Sequence, residues 1–237
     1  MENALVVRSE VKPEKDYHKY RDRLRFDFVY SCAYCTMTEL EAAGIGFEID
    51  HYLPKEKFPE LISQYHNLMW SCRRCNRSKS DYSPDAEDDR NGYVVLRIDE
   101  CDPRDHLESD HLFLKGRTTK GQFNIELLDL NRKQLRQIRE CRERLFKAAE
   151  YIAFGVQQLM SMNLDRIPPR NRVPFQKIRR YILDRKEEVS ESIESLLREF
   201  AHSELLDIDP EQEERRKKAK RYLREIRAIV PERDVTP

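Results

Sequence analysis

Apolar positions recur at different spacings along this chain, and the spacing changes mark its elements. In PEKDYHKYRDRLRFDFV, from Pro13 to Val29, Tyr17, Tyr20, Leu24 and Phe28 stand three or four residues apart, with Lys and Arg on the other faces. That is the period of an amphipathic helix. The next runs are shorter: FEIDH and YHNLMWSC are apolar and β-prone, so each predicts a strand, and RRCNRSKSD predicts the start of a helix. DYSPDAEDDRN is polar and acidic and predicts a loop, and GYVVLRI reads as a short strand. From Asp99 to Leu130, turns are expected at Asp102-Pro103, Gly116 and Gly121, with short apolar runs between them.

Beyond Asn131 the pattern is helical again. Leu135, Ile138, Leu145, Ala149, Ile152 and Val156 predict one long helix, for which Asn131 suits the N-cap. NLDRIPPRNRVP breaks it, a second amphipathic helix is expected from Phe175 to Phe200, and a highly charged one from Glu211 to about Ile229. The expectation is an α+β, helix-rich protein, with a helix and a hairpin-and-helix module in residues 1–100 and a mainly helical region over 101–237.

Composition supports the helical reading, because charged residues make up 37% of the 237 and there are only six glycines. Lys plus Arg equals Asp plus Glu at 44 each, so no overall field recruits nucleic acid and any basic surface must be local. No apolar stretch is long enough for a signal peptide or a bilayer span, so a cytoplasmic protein without membrane contact is expected. In that reducing setting the six cysteines read as metal ligands or buried thiols, not disulfides.

Four of them form two Cys-x-x-Cys pairs, Cys32 and Cys35 in CAYC and Cys72 and Cys75 in CRRC. Each pair offers two thiolates from one tight turn, and two turns close a tetrahedral zinc site. Such a site leaves no open position, so its expected role is structural: to pin the segment carrying Asp50 and His51 against the one beginning at Cys72. Other polar clusters read more plainly. Asp102, Asp105, His106, Asp110 and His111 follow no ligand spacing and suit capping or solvent, His66 reads as a surface or packing residue, Cys101 and Cys141 as free thiols, and Met69 and Trp70 as a small core.

Asp50-His51, then Asn67, then Asn76 with Lys79-Ser80-Asp81 shortly after, resembles the HNH endonuclease family and its ββα-metal fold. LRFDFVYSCAYC, FEIDHYLPKEKFPEL, YHNLMWSCRRCN and KSD are similar to its zinc-knuckled bacterial members over about residues 20–82. DECDPRDHLES and IELLDLNRKQLRQIR look like the tail of small stand-alone HNH proteins of anti-phage defence, including the nuclease subunit of Septu-type or retron-associated systems.

The resemblance implies metal-dependent hydrolysis of DNA phosphodiester bonds. His51 would be the general base, since an imidazole titrates near working pH. Asp50 and Asn76 would hold one Mg²⁺ or Mn²⁺ through hard oxygens, and Asn67 would brace the loop that carries the base. Arg73, Arg74, Arg77 and Lys79 surround the helix start as a local nucleic-acid-binding patch, with Lys79 reaching a phosphate or pairing with Asp81. Because neighbours on a strand point to opposite sides, a strand end or bulge is expected at Asp50-His51, with Pro54 marking the exit. DNA is the implied partner, with an ATPase subunit of a defence complex as a regulator. One ββα site cuts one strand, so a double-strand break would need a homo-oligomer or a second event. The alternative is a catalytically silent module that binds nucleic acid or scaffolds a complex. The run EERRKKAKRYLREIR reads mostly as a solvated helix face whose Glu and Arg or Lys pairs offset one another, with a grip on nucleic acid or on a partner protein as the alternatives.

Overall fold

The predicted first helix is present in two parts. A 3-10 turn at Tyr17–Tyr20, capped by the Asp16 carboxylate on the His18 amide, leads into α1 (Arg21–Asp27). Tyr20, Leu24 and Phe28 are buried as their spacing requires. In this computed structural model of the chain, residue 4, residues 6–42 and 44–185, and positions 188, 191, 192 and 195 are described. After α1, Val29 and Tyr30 adopt φ values of 50° and 54°, a left-handed conformation that is uncommon outside glycine and more so for a β-branched residue. Two such residues in succession turn the chain sharply toward the first cysteine pair.

β1 (Phe47–His51) and β2 (Leu68–Cys72) pair antiparallel, from Phe47 opposite Cys72 to His51 opposite Leu68. α2 (Arg73–Lys79) follows β2 without a linker and packs on both strands. All five residues of β2 are buried, and Met69 and Trp70 fill the interior as expected. Arg8 ties the N-terminal arm to this hairpin, donating to the carbonyls of Tyr65 and Leu68, each at 2.6 Å.

Several expectations needed correction. GYVVLRI is not a strand. Scattered partners take the place of a neighbouring strand: Asn124 accepts from the Leu96 amide at 2.9 Å and donates to the Val94 carbonyl at 2.8 Å, the Tyr52 hydroxyl donates to the Val95 carbonyl and the Val6 amide to that of Ile98. Val95, Leu96 and Ile98 are nevertheless buried, so their apolar character was spent on the core and not on pairing. The acidic "loop" contains α3 (Ala86–Asn91), which a capping box between Asp85 and Asp88 starts and Gly92, at φ 79°, ends.

The turn-rich stretch forms a second hairpin, β3 (Leu107–Asp110) with β4 (Phe113–Gly116), and then α4 (Thr119–Leu127). Gly121 lies within α4 and not at a turn. It allows close approach, because a Cβ there would stand 1.9 Å from the His106 carbonyl oxygen. Asn131 does not cap the long helix, α5 (Lys133–Ser161); its amide clamps Leu114 of β4 from both sides, at 2.7 and 2.8 Å.

The described residues fall into two compact units, one through Glu140 and the other from Cys141 onward. The first unit, with two small sheets among helices, is α+β. The second contains the remainder of α5, a 3-10 turn at Leu164–Arg166 and α6 (Pro169–Asp184). α6 begins earlier than the expected Phe175: Pro169 sits at its first position, where a missing N–H costs nothing, and Pro174 is accommodated inside it. The end of the expected Phe175–Phe200 helix and the charged helix from Glu211 lie outside the described residues. No helix among the described residues is long and apolar enough to cross a membrane.

Candidate active site

The four expected cysteines converge. Cys72 closes β2, Cys75 lies in the first turn of α2, and Cys32 and Cys35 occupy a tight loop whose Ala33 amide donates to the Trp70 carbonyl of β2 at 2.7 Å. All four are buried, with their sulfurs within 4.8 Å of one another and Cys35 and Cys72 3.9 Å apart. Tetrahedral zinc with bonds of about 2.3 Å requires sulfur separations of about 3.8 Å, so the cluster fits that ion. A residue that the spacing did not reveal completes it. Arg132, buried just before α5, points its Nη2 at the sulfurs of Cys35, Cys75 and Cys72, at 3.5, 3.6 and 3.9 Å. One guanidinium offsets part of the negative charge that four thiolates would bring.

Asp50 and His51 are the last two residues of β1, without a bulge, so the strand end alone separates their environments. Asp50 turns inward and is 5% exposed. The Tyr34 hydroxyl, from between the first two cysteines, donates to its Oδ2, and the Lys79 ammonium lies 3.1 Å from the same oxygen and 3.3 Å from Oδ1. Burial raises the carboxyl pKa, and the Lys79 charge and the Tyr34 hydroxyl work against that rise. Lys79 therefore faces the interior and not a phosphate or Asp81: it is 1% exposed, and its Nζ also donates to the His51 carbonyl at 2.8 Å. A buried carboxylate needs a counter-charge, and this lysine supplies it.

His51 lies against Tyr17, ring centroids 4.8 Å apart in an edge contact, and its Nε2 is 3.0 Å from the Ile62 carbonyl oxygen. A carbonyl only accepts, so Nε2 carries the hydrogen, and in the neutral ring Nδ1 holds the free lone pair. Burial lowers the pKa of this imidazole, which favours that neutral form.

Asn67 is buried and braces the loop after His51. Its Oδ1 accepts from the Leu53 amide at 2.8 Å, while Nδ2 donates to the carbonyls of Leu53 at 3.0 Å and Leu61 at 3.4 Å. Replacing it with alanine strands the Leu53 N–H and C=O, and a loss of about 1–3 kcal/mol is expected in urea unfolding. A variant as stable as the parent would show the bracing to be negligible.

Asn76, in the middle of α2, donates through Nδ2 to Glu48 Oε1 at 2.8 Å. Of the expected basic patch, Arg73 and Arg74 are exposed but engaged: Arg73 Nε lies 3.7 Å from Glu48 and Arg74 Nη2 3.4 Å from Asp129. Arg77 is exposed and has no ion pair among the described residues. Ile49, Asp50, His51, Asn76, Arg77 and Ser80 line one open cleft of about 360 Å³, with Tyr17 on its rim.

The acidic and histidine cluster beyond Cys101 behaves as capping and surface pairing. Asp102 accepts from the Arg104 amide, His106 pairs with Thr118, and Asp110 with Lys115. Among the described residues the four cysteines are the only group of metal-ligating side chains so clustered. His66 is exposed, and Cys101 and Cys141 are free thiols. Tyr34, Glu48 and Arg132 are the functional neighbours that sequence reasoning missed. Glu48 alone left a signal, since it stands two residues before Asp50 and so on the same face of β1.

Residues 32–82 match the family model for HNH endonuclease. Two curated relatives are similar to this chain. Septu protein PtuB of Bacillus thuringiensis is 32% identical over 100 residues, 42% of this chain and 36% of that protein. Septu protein PtuB of Bacillus mycoides (strain KBAB4) is 29% identical over 159 residues, 52% of each. The chain thus spans about a third to a half of the length of these relatives. No solved structure gives a significant match.

Proposed function

We propose that this chain, whose residues 32–82 match the HNH endonuclease model, hydrolyses phosphodiester bonds of DNA with a divalent metal, in bacterial anti-phage defence and under the control of an ATPase partner. The observation that carries the reading is the meeting of His51, Asp50 and Asn76 in one open cleft with the exposed Arg77. The four-cysteine cluster takes zinc as a structural ion, which holds the loop bearing Tyr34 against β2 and α2.

The cleft's donors suit Mg²⁺ or Mn²⁺. Asp50 and the Oδ1 of Asn76 are hard oxygens, and such ions are usually held by one or two protein ligands, with water and phosphate completing the shell. Asp50 has acceptor capacity for about four partners, of which Tyr34 and Lys79 use three contacts. Bound there, the ion would stabilise charge on the scissile phosphate and on the departing 3′ oxygen.

The chain's own residues do the rest. His51 Nδ1 takes a proton from the attacking water as its oxygen bonds to phosphorus, and the bond to the 3′ oxygen breaks. The Ile62 carbonyl holds the Nε2 hydrogen and keeps the ring from turning over, so Nδ1 stays the nitrogen with the free lone pair. Asn67 fixes the loop that carries this contact, and Arg77, exposed and lining the cleft, meets the DNA backbone.

The test is nicking of supercoiled plasmid in Mg²⁺ and in Mn²⁺, beside EDTA and beside His51→Ala. Cleavage should need the metal and fall about a hundredfold or more in the variant, whose zinc content stays at that of the parent. A zinc-loaded wild type that cuts nothing, alone and with a co-expressed ATPase partner, would establish the silent scaffold instead.

A further inference from the structure

Glu48 has no role in the chemistry described so far, yet it lies on the same face of β1 as Asp50 and within hydrogen-bond distance of the other candidate ligand, Asn76, at 2.8 Å. We infer that Glu48 is a positioning residue that decides which atom of Asn76 is offered to the metal; this rests on the metal assignment proposed above.

An asparagine amide presents an oxygen on one side and an NH₂ on the other, and rotation by half a turn exchanges them. Only the oxygen binds a hard cation. A carboxylate cannot donate, so it accepts the amide only through Nδ2, and the partner of Asn76 thereby removes one of the two orientations. With Nδ2 held by Glu48, Oδ1 is left without a hydrogen-bond donor among the described residues and is available to the cleft.

Glu48 is itself held. Its other oxygen, Oε2, faces Arg73 Nε at 3.7 Å, and Arg73 lies on α2 one turn before Asn76. The Arg73 amide donates to the Gly46 carbonyl at 2.9 Å, and a Cβ on Gly46 would sit 3.1 Å from the Arg73 guanidinium, so the absence of a side chain at the start of β1 gives that group its room. Both carboxylate oxygens are thus engaged, one by the arginine and one by the asparagine, which suits a brace and not a third ligand. Glutamine at position 48 breaks this logic, because its own NH₂ can donate to Oδ1 and turn the amide the wrong way.

Mn²⁺ is titrated into the full-length, zinc-loaded protein without DNA, and the free aquo ion is read by electron paramagnetic resonance for the parent, Glu48→Gln, Asn76→Ala and the double variant. Glu48→Gln should weaken Mn²⁺ binding about ten- to a hundredfold, as loss of a residue orienting a ligand does. The double variant should bind no more weakly than Asn76→Ala alone, because Glu48 acts through Asn76. Unchanged binding in Glu48→Gln, or losses that multiply in the double variant, would overturn the inference; the second result would make Glu48 a ligand in its own right. If Asn76→Ala binds as the parent does, or the parent binds no Mn²⁺, the metal assignment itself fails and the inference with it.

Discussion

Withholding zinc from the four-cysteine cluster, or replacing Cys72 and Cys75 with serine, is expected to leave the hairpin-and-helix module unfolded. The loop that carries Cys32 and Cys35 has one isolated bridge, Ser31 with Thr38, and a left-handed Thr36 at φ 59°, so little regular structure holds it. Zinc binding to such sites supplies about 10–16 kcal/mol of folding free energy. The entire stability of a domain is about 5–15 kcal/mol, so a loss of that size matches or exceeds it. Circular dichroism and zinc content measured together should fall as chelator is added, with β2 amides losing protection from hydrogen exchange. A metal-free protein that still unfolds cooperatively, with Trp70 buried, would refute the structural role.

The second large effect is expected at a buried residue, Lys79. Changing Lys79 to methionine keeps the volume but leaves Asp50 in the interior with no cation, where the pair now has side-chain exposures of 0% and 6%. Removing one member of a buried pair costs about 3–5 kcal/mol. The double variant Asp50→Asn with Lys79→Met should recover most of that loss, because no charge is left buried. Urea unfolding of both proteins in their zinc-loaded forms decides the matter. Equal losses in the single and double variants would mean that the lysine contributes packing and not charge.

Much of the site was legible because its signals are local. The two cysteine pairs, the strand FEIDH with its boundaries, the turn into α2 and the order Asp50, His51, Asn67, Asn76 all lie within about 45 residues, and strand alternation and ligand chemistry apply over such distances. What escaped depends on contacts between segments distant in sequence. Lys79 reads as a surface residue by composition, and only the fold shows it under β1, in place of the phosphate contact expected for it. Arg132 is 57 residues from Cys75 and reaches its sulfur from the far end of the first unit. GYVVLRI has strand composition, but its backbone found separate partners distant in sequence, among them the Asn124 amide, 28 and 30 residues away. Where the period of the pattern was unambiguous, as in α5, the element was found; where polar composition stood for structure, as at α3, local capping decided otherwise.

Tyr34 sits between Cys32 and Cys35 and gives its hydroxyl to Asp50. The knuckle is consequently not an interchangeable part. Transplanting a Cys-x-x-Cys turn from a zinc protein would preserve the four thiols and the backbone path and still alter the surroundings of Asp50, unless the graft carried a phenol at its third position. Modularity in this fold ends at a single oxygen atom.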